Sequence, residues 1–439
     1  MLGTDSFLSK YSGVLKNAQV LEKKGRISQV VGLVIESQGP QAPVGEVCVL
    51  RDRTGKEVCK SEIVGFKDNR ILSMVLGEAK NIAPGMEIIA TDKTLSIGVG
   101  NSLLGRIIDG LGQPMDGKGP VEATEVRSIY AQPPNPLLRK RIKEYITTGV
   151  RAIDGMLTLG KGQRVGIFAG SGVGKSTLLG MVARNTTADV NVIALIGERG
   201  REVRDFIEKD LGEEGLRRSV LVVATSDTPA LVRVKAPLIA TTIAEFFRDQ
   251  GLDVMLMMDS VTRLAMAQRE VGLTVGEPPT TKGYTPSVFA LMPKVMERAG
   301  TSENGSITAL YTVLVEGDDM NEPIADTVRG ILDGHIVLSR KLAAQAHYPA
   351  IDVLESVSRV MGDVVTKQHR GASYSVREMM ATYREAEDLI SVGAYQSGSN
   401  PKIDKAIALN ERIRQFLQQQ IEDAGTFSKT IAELTSLGS

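Results

Sequence analysis

Arg164–Met181 reads RVGIFAGSGVGKSTLLGM, and the fold is decided there. A short apolar run, Val165–Phe168, feeds a glycine-rich turn, and a helical pattern starts at Lys175. Strand, glycine-rich cradle and helix in that order make a P-loop. Gly170, Gly172 and Gly174, with Ser171 and Val173 between them, turn backbone N–H groups inward onto β- and γ-phosphates. The helix that follows adds its free N–H groups and partial positive charge. Lys175 is placed to reach the β/γ oxygens as a point cation, and the Ser176 hydroxyl to take a Mg²⁺ position. One residue departs from the pattern: Ala169 stands where the first glycine is usual. The other positions match, so the chain is read as a binder of nucleoside triphosphate.

Composition narrows the class. A chain of 439 residues implies more than one domain. At 42% hydrophobic and 24% charged residues, it has the make-up of a globular protein. Lys+Arg and Asp+Glu both total 52, so no net field draws it to nucleic acid or anionic lipid. Cys48 and Cys59 are too few for a disulfide framework or zinc site, and they read as reduced, half-buried strand residues of a cytosolic protein. His335, His347 and His369 lack metal-ligand spacing. No apolar run approaches the ~20 residues of a membrane span, and the N-terminus lacks a signal-peptide core.

Residues 1–23 place Phe7, Tyr11, Val14 and Leu15 at helical spacing, a short amphipathic helix that folds back or docks on a partner. From Gly25 to about Asp92, the runs Val30–Ile35, Glu46–Leu50, Ile71–Val75 and Met86–Ile89 predict strands of a small β-barrel. Base stacking needs aromatic platforms, and this region holds only Phe66, so a packing domain is favoured over a nucleic-acid barrel. Leu103–Pro120 reads as a turn-rich connector and Gln132–Pro136 as a proline-stiffened joint. The core opens at Thr148–Gly155, TGVRAIDG. Beyond the P-loop, candidate strands Asn191–Ile196, Val220–Ala224, Val254–Met258 and Ile307–Val315 alternate with candidate helices Arg201–Leu211, Pro229–Asp249 and Thr262–Val271. That alternation predicts a parallel sheet covered on both faces. After Ser375 the pattern is wholly helical. A helix starting at Asn400–Pro401 carries Ile403, Ile407, Ile413, Phe416, Leu417 and Ile421 near one face, and a loosely patterned tail ends the chain.

Three further stretches carry candidate chemistry. Val254–Asp259, VMLMMD, delivers Asp259 at the carboxyl end of a buried strand, 84 residues after Lys175, where it can order a water on Mg²⁺. Gly197–Glu202, GERGRE, supplies Glu198 as the carboxylate that activates the in-line water and Arg199 as a γ-phosphate cation. On spacing alone a solvated loop opening a helix is the favoured reading of these two. Arg359 in ESVSRV is either a helix-surface cation or a group acting across a subunit boundary, and Tyr348 either stacks on a base or packs. Gly276–Pro286 and Glu316–Asp326 are long polar loops, functional or mobile.

These residues together resemble the RecA-like ATPases of the rotary ATP synthase family, and within it the type III protein-export ATPases. The resemblance covers nearly the whole chain. Asp259–Leu273 (DSVTRLAMAQREVGL), Gly276–Ala290 (GEPPTTKGYTPSVFA) and Glu316–Ala343 separate it from the catalytic subunits of ATP synthases, and TTKGYTPSVF leans towards the flagellar branch. The resemblance implies an α/β RecA-like P-loop core with an N-terminal small β-barrel and an α-helical C-terminal domain. The expected bounds are 1–23 for a partner-binding helix, 24–95 for the barrel, 96–370 for the ATPase domain and 371–439 for the helical domain. It implies that Lys175, Ser176 and Thr177 bind phosphate and Mg²⁺, that Glu198 is the catalytic carboxylate, and that Arg199 and Arg263 serve the active site. Asp259 becomes the second acid, Arg359 the arginine finger given to a neighbour, and Tyr348 the adenine-stacking aromatic, with Tyr395 a guess for the other side of the base. The expected protein hydrolyses Mg²⁺–ATP as a homohexamer to energise flagellar protein export. Its expected partners are a stator-like protein at residues 1–23, and export-gate and stalk proteins, substrates and chaperones at the C-terminal domain. It would work in the cytoplasm, peripheral to the membrane, without nucleic acid. Rival readings are a virulence-type secretion ATPase, a rotary ATP synthase subunit, a ring-shaped RNA translocase and an interaction protein with a dead site.

Overall fold

The computed structural model describes residues 22–438, so the amphipathic stripe within residues 1–23 lies outside the described residues apart from Glu22 and Lys23. The chain divides into two compact units, one ending at Leu95 and the other beginning at Ser96.

The first unit is a closed antiparallel barrel of six strands: β1 (Lys24–Val31), β2 (Val34–Gln38), β3 (Glu46–Arg51), β4 (Glu57–Lys67), β5 (Arg70–Val75) and β6 (Glu87–Thr94). Their order is β1-β2-β5-β4-β3-β6, and β1 pairs with β6 to close the ring, which leaves no free edge. Ile27, Ile35, Cys48, Leu50, Ile63, Ile71 and Ile88 fill the interior. Cys48 is therefore fully buried, more than its half-buried reading, while Cys59 keeps partial exposure. Two strand readings change. Val30–Ile35 is not one run, because a turn at Gly32–Leu33 with Gly32 at φ +58° folds it into a hairpin. The 11-residue β4 escaped notice because charged Lys60 and Glu62 interrupt its apolar alternation.

The second unit is built on a nine-stranded sheet. Its strands are β7 (Ile107–Asp109), β8 (Arg164–Ala169), β9 (Val190–Ile196), β10 (Ser219–Ala224), β11 (Asp253–Asp259), β12 (Ser306–Leu314), β13 (Gly334–Leu338) and β14 (Ile351–Ser358), with Gly300–Thr301 added beside β12. The order is β14-β13-β8-β12-β11-β9-β10-β7. All of these run parallel except β14, which is antiparallel to β13. Helices α1 (Lys175–Asn185), α2 (Gly200–Asp205), α3 (Ala230–Asp249), α4 (Val261–Thr274), α5 (Pro286–Met296) and α6 (Pro323–Ile331) connect them. Every residue of β9 and β10 is buried, which explains their mostly apolar sequences, with only Asn191 and Ser219 polar. A π-helical turn, Phe206–Leu211, continues α2. The supposed connector Leu103–Pro120 contributes β7, a strand too short to show periodicity. Asp116 anchors it by accepting from Arg106 Nε at 2.7 Å and Ile107 N at 3.2 Å.

The helical end differs from its sequence reading at both extremes. Helix α7 (Lys367–Ser391) starts eight residues before Ser375, with Thr366 capping His369 N at 3.2 Å. The loose tail is itself a helix, α9 (Phe427–Gly438). Between them α8 (Pro401–Leu417) is capped by Asn400, as expected, but it ends before Ile421, which is exposed beyond it, and only part of its stripe is covered: Ile413, Phe416 and Leu417 are buried while Ile407 is exposed. Val376, Phe416 and Leu434 join the apolar core, and polar joints accompany them. Gln419 donates to Gly149 O at 2.8 Å and accepts from Arg151 N at 2.8 Å, and His369 Nε2 lies 2.8 Å from Gly155 O.

One buried ion pair ties α3 to the chain that leads into the core. Arg298 meets Glu245 through Nε at 2.9 Å and Nη2 at 2.6 Å, and also donates to Thr242 Oγ1 and to the carbonyl of Ile129. Their side chains are 2% and 6% exposed, so loss of either partner strands a charge. Glu245→Ala is expected to lower unfolding stability by about 3–5 kcal/mol, whereas Glu245→Leu with Arg298→Met recovers most of it. Urea titration of the three proteins measures this.

Candidate active site

The site lies at the carboxyl ends of β8, β11 and β9, where an open parallel sheet leaves its crevice. The chain leaves β8 at Ala169 and turns through Gly172 at φ +79° and Gly174 at φ +88°, positions that favour glycine. Gly174 precedes Lys175, the first residue of α1. Gly170 and Val173 are buried, and Ser171, Gly172 and Ser176 are exposed at the mouth.

Lys175 pairs directly with Asp259 at the end of β11, and its Nζ lies 3.5 Å from Glu198 just past β9. Its side chain is 12% exposed and that of Asp259 3%. Burial works against the ammonium, but the two carboxylates overcome it and hold its pKa above the ordinary lysine value. Thr312 on β12, the strand between β8 and β11, donates its hydroxyl to Asp259 at 2.7 Å. Glu198 is pushed up to about 7, chiefly by burial, against the pull of Lys175 and helped by the negative charge of Asp259. It also shares a hydrogen bond with Glu202.

The remaining candidates divide. Arg263, on α4, packs its methylenes against Gly197: a Cβ added there would fall 3.1 Å from Arg263 Cβ. Its Nε is buried with no hydrogen-bond partner, and its positive charge favours the ionised form of Glu198. Tyr348 is 45% exposed, and its ring lies within 3.6 Å of where a Cβ on Gly174 would sit, so it forms a wall on the P-loop. Arg199 is not gathered in: its side chain is 80% exposed and meets only Glu202, at 3.5 Å. Arg359 follows β14, on a strand edge and not a helix surface, with its side chain exposed. The Thr177 hydroxyl donates to Asp210 on the π-helical turn. Tyr395 commits its hydroxyl to the α7–α8 turn, 3.0 Å from both Asn400 O and Asp404 Oδ1.

Sequence reasoning missed Thr312, Glu202 and Arg340. Thr312 left a faint trace, one of two threonines in the mostly apolar TALYTVL. Arg340 left none. Its guanidinium covers the P-loop, since a Cβ on Gly170 would fall 2.5 Å from its Nε. Among the described residues no group of three or more His, Cys, Asp and Glu could hold a metal alone. A divalent ion here needs phosphate oxygens as ligands, and the Ser176 hydroxyl and Asp259 carboxylate fit that role. The unpaired Arg263 Nε fits an anion.

A buried parallel sheet, a glycine cradle, a lysine between two acids and an aromatic on the loop define a RecA-like P-loop ATPase. Comparison with known proteins carries this further. Residues 149–358 match the nucleotide-binding domain of the ATP synthase alpha/beta family, and residues 27–92 match its beta-barrel domain. Residues 365–436 match the C-terminal domain of the type III secretion ATPase EscN. The chain is 57% identical over 418 residues to the flagellum-specific ATP synthase of Bacillus subtilis, covering 95% of both chains. It is 50% identical to the type 3 secretion system ATPase of Xanthomonas euvesicatoria, covering 96% of both. The solved structure of the assembled ATPase EscN from the enteropathogenic E. coli type III secretion system superposes with a TM-score of 0.89 at 47% identity. It covers 94% of this chain and 100% of that one. A second structure, of EscN with its central stalk EscO, gives 0.87 at the same identity and coverage. The chain belongs to the ATP synthase alpha/beta family, in its branch of flagellar and type III secretion ATPases.

The raised Glu198 carboxyl has a consequence for stability. Folding favours its protonated form, so stability falls as pH rises from the ordinary value of 4.5 through about 7. Glu198→Gln mimics the protonated form. Nucleotide-free Glu198→Gln is expected to melt above the wild type at pH 8, with the gap closing by pH 4.5. Thermal melts across that range check the sign.

Proposed function

We propose that this chain is a Mg²⁺-dependent ATPase that energises or primes protein export through a flagellar type III apparatus, hydrolysing ATP at subunit boundaries of a homohexamer. The observation that carries this reading is Lys175, which follows the P-loop glycines, held between Asp259 and Glu198 at the strand ends, with Arg263 packed on Gly197 next to Glu198. The backbone of Gly170–Gly174 and Lys175 would receive the β- and γ-phosphates, with Thr177 beside them. Ser176, and a water ordered by Asp259, would hold Mg²⁺, which neutralises phosphate charge when bound. Glu198 would orient the attacking water and take up its proton, a role its raised pKa suits. Arg199 would turn inward to the γ-phosphate and Tyr348 stack on the base. Arg359, exposed on its own chain, would complete the site of the next subunit.

Around that site, the chain would bind a stator-like regulator at residues 1–23. Stalk and export-gate proteins, cargo and chaperones would meet the helical end. It would act in the cytoplasm, at the inner face of the membrane; no helix among the described residues is long and apolar enough to cross one. Virulence-type secretion is the second reading: the Xanthomonas type 3 secretion ATPase and the flagellum-specific ATP synthase of Treponema pallidum are both 50% identical to this chain.

Two measurements test the reading. Specific ATPase activity should rise steeply with protein concentration, and Arg359→Ala should lose about a thousandfold in kcat while still binding nucleotide. Activity independent of concentration, or an active Arg359→Ala protein, would mean that the site closes within one chain. Tyr348→Ala should weaken ATP binding about tenfold and Tyr348→Phe hardly at all, since stacking contributes about 1–3 kcal/mol per base. Fluorescent-nucleotide titration reads both.

A further inference from the structure

Arg359 has a long, exposed side chain, yet its backbone is tied to the end of the sheet. Its N–H donates to the carbonyl of Asp333 at 3.1 Å. That same carbonyl accepts the side-chain amide of Gln163, also at 3.1 Å. Gln163 is fully buried and spends its whole amide here: the nitrogen also donates to Ser358 Oγ at 3.1 Å, and the oxygen accepts from Gly160 N at 2.9 Å. Ser358, one residue before Arg359, passes its own proton to Thr158 O at 2.9 Å. The Asp333 carboxylate is gripped by Arg164 through N, Nε and Nη2 at 3.1, 3.0 and 3.2 Å. Gly334 leaves no slack, since a Cβ there would come within 2.5 Å of Val357 O and 3.3 Å of Gln163 Nε2.

Gln163 and Arg164 stand at the start of β8, whose far end, Ala169, opens the P-loop. One hydrogen-bonded block thus holds the root of Arg359 and the foot of the chain's own phosphate-binding strand. A packed apolar residue at 163 would avoid the desolvation cost of a buried amide but would leave Gly160 N without its acceptor. What the amide adds is geometry. From one side chain it holds Gly160 N, Asp333 O and the Ser358 hydroxyl, and Asp333 O is also the acceptor of Arg359 N, so that a flexible guanidinium starts from a rigid origin.

We infer that Gln163 and Ser358 are positioning residues that aim Arg359 into the neighbouring subunit's site. The inference rests on the proposed role of Arg359. Gln163→Leu keeps the volume and removes the bonds. It should lower kcat about tenfold with KM for Mg²⁺–ATP within about twofold, because the lost interaction exists only in the transition state. Subunit mixing separates aiming from a general structural defect. Glu198→Gln subunits have a dead site and an intact finger; Arg359→Ala subunits have an intact site and no finger. Mixed one to one, those two should recover activity, since about a quarter of the boundaries in a random ring join the two intact halves. Gln163→Leu should behave as the fingerless partner: restored by Glu198→Gln subunits and not by Arg359→Ala subunits. Restoration by Arg359→Ala instead would place the damage in the variant's own P-loop and overturn the inference. If the two control variants fail to restore each other, the proposed role of Arg359 falls, and this inference with it. Should Gln163→Leu not fold, Ser358→Ala removes only a hydroxyl and is put through the same mixtures with the same expected pattern.

Discussion

Burying the ammonium of Lys175 at the end of a parallel sheet costs several kcal/mol unless carboxylates meet it, and the placement of those carboxylates dictates much of the core. Asp259 must come off the end of a strand close enough to touch Lys175, and Thr312 must rise from the strand between them to hold it. Glu198 must lie within reach but less tightly bound, so that burial can raise its proton affinity. A sheet with both faces covered has little place for polar chemistry along its strands, which pushes the chemistry to their carboxyl ends. A triphosphate entering the P-loop would take over Lys175 from the acids, and the charge balance of the pocket would be remade around it.

How much of this was legible depends on how local each signal is. The P-loop is contiguous, and its glycines, lysine and helix start are all dictated by neighbours in the chain, so it could be read outright. Asp259 needed only a buried strand ending in an acid. Glu198 was harder. Its strand follows the P-loop strand in sequence, but two others, β12 and β11, lie between them in the sheet. Spacing alone therefore favoured an ordinary solvated loop there. Thr312, Arg340 and Asp333 reach the site or its support from more than a hundred residues beyond the P-loop, and no local pattern announces them. Short or interrupted strands failed for a related reason: β7 has three residues, and β4 breaks its alternation with charges, so neither carries a measurable period.

Apolar packing in a sheet this uniform says little about register, since one Val or Ile fits much like another. The specific joints are polar and buried. Arg298 fixes the incoming chain at Ile129, Gln163 fixes the root of Arg359, and Gln419 and His369 fix the helical end to Gly149 and Gly155. Each reaches a backbone group in a segment distant in sequence, and each would leave an unpaired buried group if the segments slid. Buried polar groups of this kind are expensive as sources of stability, but they exclude alternatives that apolar packing would tolerate. If the active site is shared between subunits, as proposed, a displaced joint would spoil a neighbour's chemistry as well as its own. The tightest geometric control is therefore expected where a chain's own strand and its donated arginine meet, and the Gln163–Asp333–Ser358 block stands at that place.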